Sequence, residues 1–119
     1  MTLRVLIVED DSFVALDLEL LILQCYPADV VVCPSVRDAR RALDNPVDFA
    51  LLDIDVLDGK TVEVAHALQE RATPFVFISG SQPDEVPEGL RNVPFIAKPY
   101  SPPVVEQVVG QTLKAGRSA

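Results

Sequence analysis

Positive charge is scarce in this chain: ten Lys and Arg stand against eighteen Asp and Glu, a formal net charge of −8. A nucleic-acid backbone requires a basic face, so this balance argues against DNA or RNA as a partner. A small anion alone would be repelled too, unless a cation came with it. Cysteine is also rare. Cys25 and Cys33 form no C-x-x-C pattern and have no His at metal-ligand spacing, so they read as small apolar residues. No glycine-rich turn follows the first apolar run, which removes the dinucleotide-binding fingerprint. No apolar run is long enough to cross a bilayer, and no basic leader with a small-residue cleavage site opens the sequence. The expectation is a cytoplasmic protein.

What is present is a set of apolar runs that stop abruptly on polar residues. With 119 residues, 49 % of them apolar, the chain has room for one core, and no repeat, low-complexity tract or linker divides it. The expectation is a single domain over residues 1–119, with 113–119 as a frayed tail and no output domain following. Phe49-Ala50-Leu51-Leu52 ends on Asp53, and Leu3-Arg4-Val5-Leu6-Ile7-Val8 ends on Glu9, Asp10 and Asp11. Pro74-Phe75-Val76-Phe77-Ile78 ends on Ser79, and Val93-Pro94-Phe95-Ile96-Ala97 ends on Lys98-Pro99. Short apolar runs bounded by polar residues read as strands buried on both faces, as in a parallel sheet.

Helical patterns alternate with these strands. Asp11-Ser12 caps a helix over Phe13 to Gln24, whose Phe13, Leu16, Leu20 and Leu23 recur at helical steps, an amphipathic helix with extra apolar surface. Ser35 caps Val36 to Leu43, with Ala39, Ala42 and Leu43 inward and Arg37, Arg40 and Arg41 outward. Asp58-Gly59 signals a turn before a helix over Thr61 to Arg71. Between Gly80 and Asn92, Pro83, Pro87 and Gly89 leave room for one or two helical turns at most. Ser101-Pro102 opens the last helix, with Val104, Val105, Val108, Val109 and Leu113 toward the core. Strands alternating with helices imply right-handed crossovers and a flavodoxin-like, doubly wound α/β sheet of five parallel strands, order 2-1-3-4-5.

In that order the first and third strands are neighbours about 4.8 Å apart, so Glu9, Asp10 and Asp53 crowd together at the switch point. Like charges so close raise one another's pKa, and a divalent cation relieves the conflict. Hard oxygen ligands at a partly open site suit Mg²⁺, with the backbone carbonyl of Asp55 within reach as a further ligand. Asp53 is then placed as a nucleophile toward a phosphoryl group, Lys98 to offset charge on its oxygens and Ser79 to donate to one of them. A cis peptide at Lys98-Pro99 would aim the lysine inward. Asp11 reads as a helix cap. Asp55, Asp58 and Glu63 read as solvated side chains, and His66 as a solvated helix residue rather than a phosphate carrier.

These residues resemble the receiver (CheY-like) domain of bacterial two-component response regulators, over Leu3 to about Leu113. Val5-Leu6-Ile7-Val8-Glu9-Asp10-Asp11 is similar to its first-strand motif, Leu51-Leu52-Asp53 to its phosphoacceptor strand, and Ala97-Lys98-Pro99-Tyr100 to its Lys-Pro-aromatic motif. The resemblance implies that Asp53 takes a phosphoryl group from a sensor histidine kinase, with Mg²⁺ held by Glu9, Asp10, Asp53 and the Asp55 carbonyl. It makes Ser79 and Phe95 the switch residues that signal to a downstream protein, or the chain a phosphate sink. It implies no enzyme beyond this self-modification. Two departures are similar to an atypical branch that works with HWE-type histidine kinases. The loop Asp53-Ile54-Asp55-Val56-Leu57-Asp58-Gly59 is short and lacks proline, and residues 80–92 are poor in helix signals. Phe77-Ile78-Ser79-Gly80-Ser81-Gln82 keeps the Phe, hydroxyl and Gly of that branch's strand-four motif and loses the rest. The weak fourth helix also undercuts the dimer face that receivers build from helix four, strand five and helix five.

Two rivals use the same residues. Asp53-Ile54-Asp55 after a strand also looks like the haloacid-dehalogenase phosphatase motif, with Asp55 as acid, although that motif normally opens its chain and needs a further acidic pair. A pseudo-receiver would keep the fold as a binding module without phosphorylation, and failure to bind Mg²⁺ would favour it.

Overall fold

The computed structural model describes residues 2–117. Its elements are β1 (Leu3–Val8), α1 (Ser12–Cys25), β2 (Ala28–Cys33), α2 (Val36–Ala42), β3 (Phe49–Leu52), β4 (Asp55–Val56), β5 (Gly59–Lys60), α3 (Val62–Glu70), β6 (Phe75–Ser79), β7 (Phe95–Ala97) and α4 (Pro102–Arg117). Five strands form one parallel sheet in the order β2-β1-β3-β6-β7. This is the doubly wound, flavodoxin-like order expected from the sequence, with β6 and β7 as its fourth and fifth strands. The small β4–β5 hairpin stands apart from the sheet and pairs Asp55 with Lys60 and Val56 with Gly59.

The period-two alternation of each strand divides the core between two faces. Leu6, Val8, Ala50, Leu52, Phe75 and Phe77 pack under α2, α3 and the segment before β7. Val5, Ile7, Phe49, Leu51, Val76 and Ile78 pack under α1 and α4. All four residues of β3 and all five of β6 are buried, as central strands covered on both sides must be. Each buried Leu, Ile or Phe contributes about 1.5–3 kcal/mol of transfer free energy.

Helix α1 departs from its expected face. Ala15, Leu18, Leu21 and Ile22 are the residues buried against the sheet. Phe13, Leu16, Leu20 and Leu23 are exposed, Phe13 by 85 %. Apolar residues occupy most of the helix surface, so two stripes with helical spacing compete, and periodicity alone does not choose between them. The stripe beginning at the small Ala15 meets the sheet. In α4 the same comparison moves Val104 outward, while Val105, Val109 and Leu113 are buried and Val108 is half-buried. Helix α4 also continues to Arg117 through the expected frayed tail, of which Ser118 and Ala119 lie outside the described residues.

Between β6 and β7 the chain makes two single 3₁₀ turns, Pro83–Glu85 and Glu88–Leu90, anchored by the buried Val86 and Leu90. No helix among the described residues is long and apolar enough to cross a membrane. After α3, Ala72 takes φ +55° while Thr73 N–H donates to the Leu68 carbonyl at 2.9 Å, a left-handed helix end that glycine fills more easily. Ala72→Gly is therefore expected to stabilise the fold by about 0.5–1 kcal/mol in urea unfolding; a destabilised variant would contradict this.

Candidate functional site

Backbone hydrogen bonds carry the parallel ladders one residue past the strands and fix the groups that follow. Glu9 N–H donates to the Cys33 carbonyl at 3.0 Å, Asp53 N–H to Val8 at 2.9 Å, and Lys98 N–H to Ser79 at 3.0 Å. Four strand exits thereby deliver Glu9, Asp53, Ser79 and Lys98 to one place, the carboxyl end of the sheet. The Lys98–Pro99 peptide is cis. Lys98 Nζ donates to Asp53 Oδ2 at 3.0 Å and also to Glu9 Oε1. The Ser79 hydroxyl donates to the other Asp53 oxygen at 2.5 Å. Glu9, Asp53 and Ser79 are buried, whereas Asp10 is exposed at the rim.

Glu9, Asp10 and Asp53 each offer a carboxylate oxygen, and these oxygens lie within 4.8 Å of one another. Burial pushes Glu9 up to about 7, aided by the nearby Asp53 charge and opposed by the hydrogen bonds from Lys98 and Asp11 N–H. The Glu9 and Asp53 carboxylates raise Lys98 above its ordinary value, against its burial. A carboxyl whose folded pKa is raised holds its proton longer in the native state, so native stability falls as pH rises. In the absence of divalent cations, stability is expected to fall by on the order of 3 kcal/mol between about pH 4.5 and 7. Thermal unfolding in EDTA checks this, with Glu9→Gln expected to flatten the slope. An equally steep slope in Glu9→Gln would count against the assignment.

Asp11 and His66 stand as the sequence suggested, whereas Asp55 and Asp58 have partners that it did not show. Asp11 is the cap expected, accepting from Phe13 N–H at 2.9 Å and Val14 N–H at 3.2 Å. Asp58 is exposed but not merely solvated: its carboxylate accepts from Val36 N–H at 2.7 Å and Arg37 N–H at 3.1 Å, which caps α2 from a distant loop and lowers its pKa. Asp55 is likewise exposed yet engaged, accepting from Lys60 at 2.8 Å and from Ser81. Each of its carboxylate oxygens thus accepts a hydrogen bond. Glu63 pairs loosely with Arg40 at 3.4 Å, and His66 is an exposed helix residue. Phe95 is half-buried against the core on the α3 side.

Thr61 escaped sequence reasoning. Fully buried, it precedes α3 and spends its hydroxyl on the Asp53 carbonyl at 2.6 Å, while its N–H meets Ile54 at 2.9 Å. A threonine before a helix looks like an ordinary cap, and nothing local marks it as a brace for Asp53. Tyr100, next to the cis peptide, donates to Asp17 of α1, and burial first and that bond second raise its phenol above the ordinary range.

No protein-family model matches this chain, and no curated protein does. Solved structures do. The response regulatory domain of mrkE from Klebsiella pneumoniae aligns with a TM-score of 0.84 at 24 % identity, over 98 % of this chain and 99 % of that one. A CheY-like receiver domain from Methanospirillum hungatei gives 0.84 at 20 % identity, over 99 % and 98 %. This chain has the receiver fold. The PhyR receiver domain of Erythrobacter litoralis shares that receiver fold, with a TM-score of 0.81 at 21 % identity over 95 % of this chain and 91 % of its own.

Proposed function

We propose that this protein is a phosphoacceptor receiver, taking a phosphoryl group onto Asp53 from a sensor histidine kinase. The observation that carries the reading is the convergence of Lys98 and Ser79 on separate oxygens of one buried carboxylate, Asp53, at the switch point of the sheet. In the transfer, an Asp53 oxygen forms the new P–O bond as the donor's P–N bond breaks, and the electron pair leaves with the imidazole nitrogen. Lys98 offsets charge on the phosphoryl oxygens, and the Ser79 hydroxyl turns from Asp53 to one of them.

The chemistry of the donor set fits a magnesium ion. Glu9, Asp10 and Asp53 are hard oxygen donors close enough to share one cation, with the Asp55 carbonyl proposed as a further ligand. Bound there, magnesium would supply positive charge that draws an anionic phosphoryl group toward a chain of net charge −8. Thr61 keeps the Asp53 backbone in place throughout.

A protein donor and a protein target are favoured over a small-molecule substrate by the exposed stripe of Phe13, Leu16, Leu20 and Leu23, which starts two residues past Asp11. Contiguous exposed apolar side chains mark protein contacts. The short hairpin after Asp53 and the two 3₁₀ turns in place of a fourth helix support the branch served by HWE-type kinases. Addition of Mg²⁺ is expected to shift the amide resonances of Glu9, Asp10 and Asp53, and a phosphoramidate to place one phosphate on the peptide holding Asp53. No shift with Mg²⁺ and no adduct would instead support a pseudo-receiver.

A further inference from the structure

The phosphoacceptor reading, on which this inference rests, gives no task to the side chains of Asp55, Lys60 and Ser81. They continue the hydrogen-bond path that begins at Asp53. Ser79 Oγ donates to Asp53 and accepts from the Ser81 N–H at 3.2 Å. The Ser81 hydroxyl donates to Asp55 Oδ2, and Asp55 Oδ1 accepts from Lys60 at 2.8 Å. Lys60 also faces Glu85 at 3.7 Å, in the first 3₁₀ turn. Asp55 and Lys60 are cross-strand partners in the β4–β5 hairpin, so the pair is held by backbone as well as by charge.

We propose that Ser81, Asp55 and Lys60 are positioning residues that latch the loop after β6 to the β4–β5 hairpin, holding the Ser79 hydroxyl in its resting direction. The latch has the strength such a role requires. Asp55 and Lys60 side chains are about half exposed, at 51 % and 47 %, and exposed pairs of this kind are weak. When Ser79 turns to a phosphoryl oxygen, the Ser81 N–H either loses its acceptor or follows it. Following it draws the Ser81 hydroxyl off Asp55 and releases the Glu85 end of the path. The segment from Gln82 to Leu90 is the part best suited to respond, because it is held by two single turns and the buried Val86 and Leu90. Phosphorylation is thereby reported through the 3₁₀ segment, independently of Phe95.

Ser81→Ala tests this, since it keeps the N–H toward Ser79 and removes only the hydroxyl on Asp55. Amide hydrogen exchange over residues 82–90 is followed in wild type and variant, with and without phosphoramidate and Mg²⁺, and intact mass reports the adduct in every sample. In wild type, phosphorylation is expected to speed exchange there. In unphosphorylated Ser81→Ala, exchange is expected to be about threefold to fivefold faster already, and phosphorylation is expected to add little. Lys60→Met, which leaves the hydroxyl in place, is expected to shift exchange in the same direction by less. A merely structural hydroxyl would speed exchange by the same factor in both states, and that result overturns the latch. So does a phosphorylated wild type whose 82–90 exchange is unchanged. Absence of any adduct on wild type would instead remove the phosphoacceptor reading, and the latch with it.

Discussion

Asp53→Asn is expected to take up no phosphate from a phosphoramidate or from a histidine kinase, where wild type is expected to take up one. The amide nitrogen and neutral carbonyl oxygen of asparagine are far poorer nucleophiles than a carboxylate, so the expected loss is complete within detection. The loss is chemical rather than structural. Asparagine has the shape of aspartate, and its carbonyl still accepts from Ser79 or Lys98, which now donate to separate Asp53 oxygens. Removing the charge also relieves Glu9, whose pKa the Asp53 carboxylate helps to raise. The variant is therefore expected to unfold no earlier than wild type in EDTA near pH 8. An Asp53→Asn protein that is both folded and phosphorylated would move the acceptor elsewhere.

Lys98→Met is expected to cost both stability and rate. Among the described residues Lys98 is the one ammonium shared by Glu9 and Asp53, whose side chains are only 1 % and 10 % exposed. Removing one partner of a buried ion pair typically costs about 3–5 kcal/mol, because the remaining charge stays buried. Here the cost depends on pH. The bond from Lys98 lowers the Glu9 pKa, so its loss raises that pKa further above the unfolded value. Glu9 then escapes the penalty by holding its proton at pH 5 and bears it at pH 8. Thermal unfolding in EDTA is expected to show a small deficit at pH 5 and a large one at pH 8, with Mg²⁺ restoring part of it. Phosphorylation should slow by about 10²–10³-fold, as for loss of one charge-stabilising group. A deficit independent of pH would mean that the lysine stem, not its charge, supports the fold.

The strand exits were legible because each apolar run carries its own stop signal. Asp53, Glu9, Ser79 and Lys98 follow directly from four short buried runs, and the sheet order follows from alternating periodicity. The core face of α1 was not legible, because Phe13, Leu16, Leu20 and Leu23 make as regular a stripe as Ala15, Leu18 and Ile22. Which stripe is buried depends on how the helix lies on the sheet, a tertiary choice. The roles of Asp58, Thr61 and Ser81 were hidden for a related reason. Each acts on a partner that the fold brings near from 7 to 26 positions away, and nothing beside it in sequence announces that partner. The irregular segment before β7 was legible from its prolines, since a missing donor leaves a mark that does not depend on tertiary context.

The most direct test of the account is intact-mass analysis of wild type and Asp53→Asn after incubation with phosphoramidate, each with Mg²⁺ and with EDTA. One added phosphate on wild type with Mg²⁺, and none in the other three samples, is the predicted result. Equal phosphate on Asp53→Asn, or uptake indifferent to EDTA, would contradict a magnesium-dependent phosphoacceptor at Asp53.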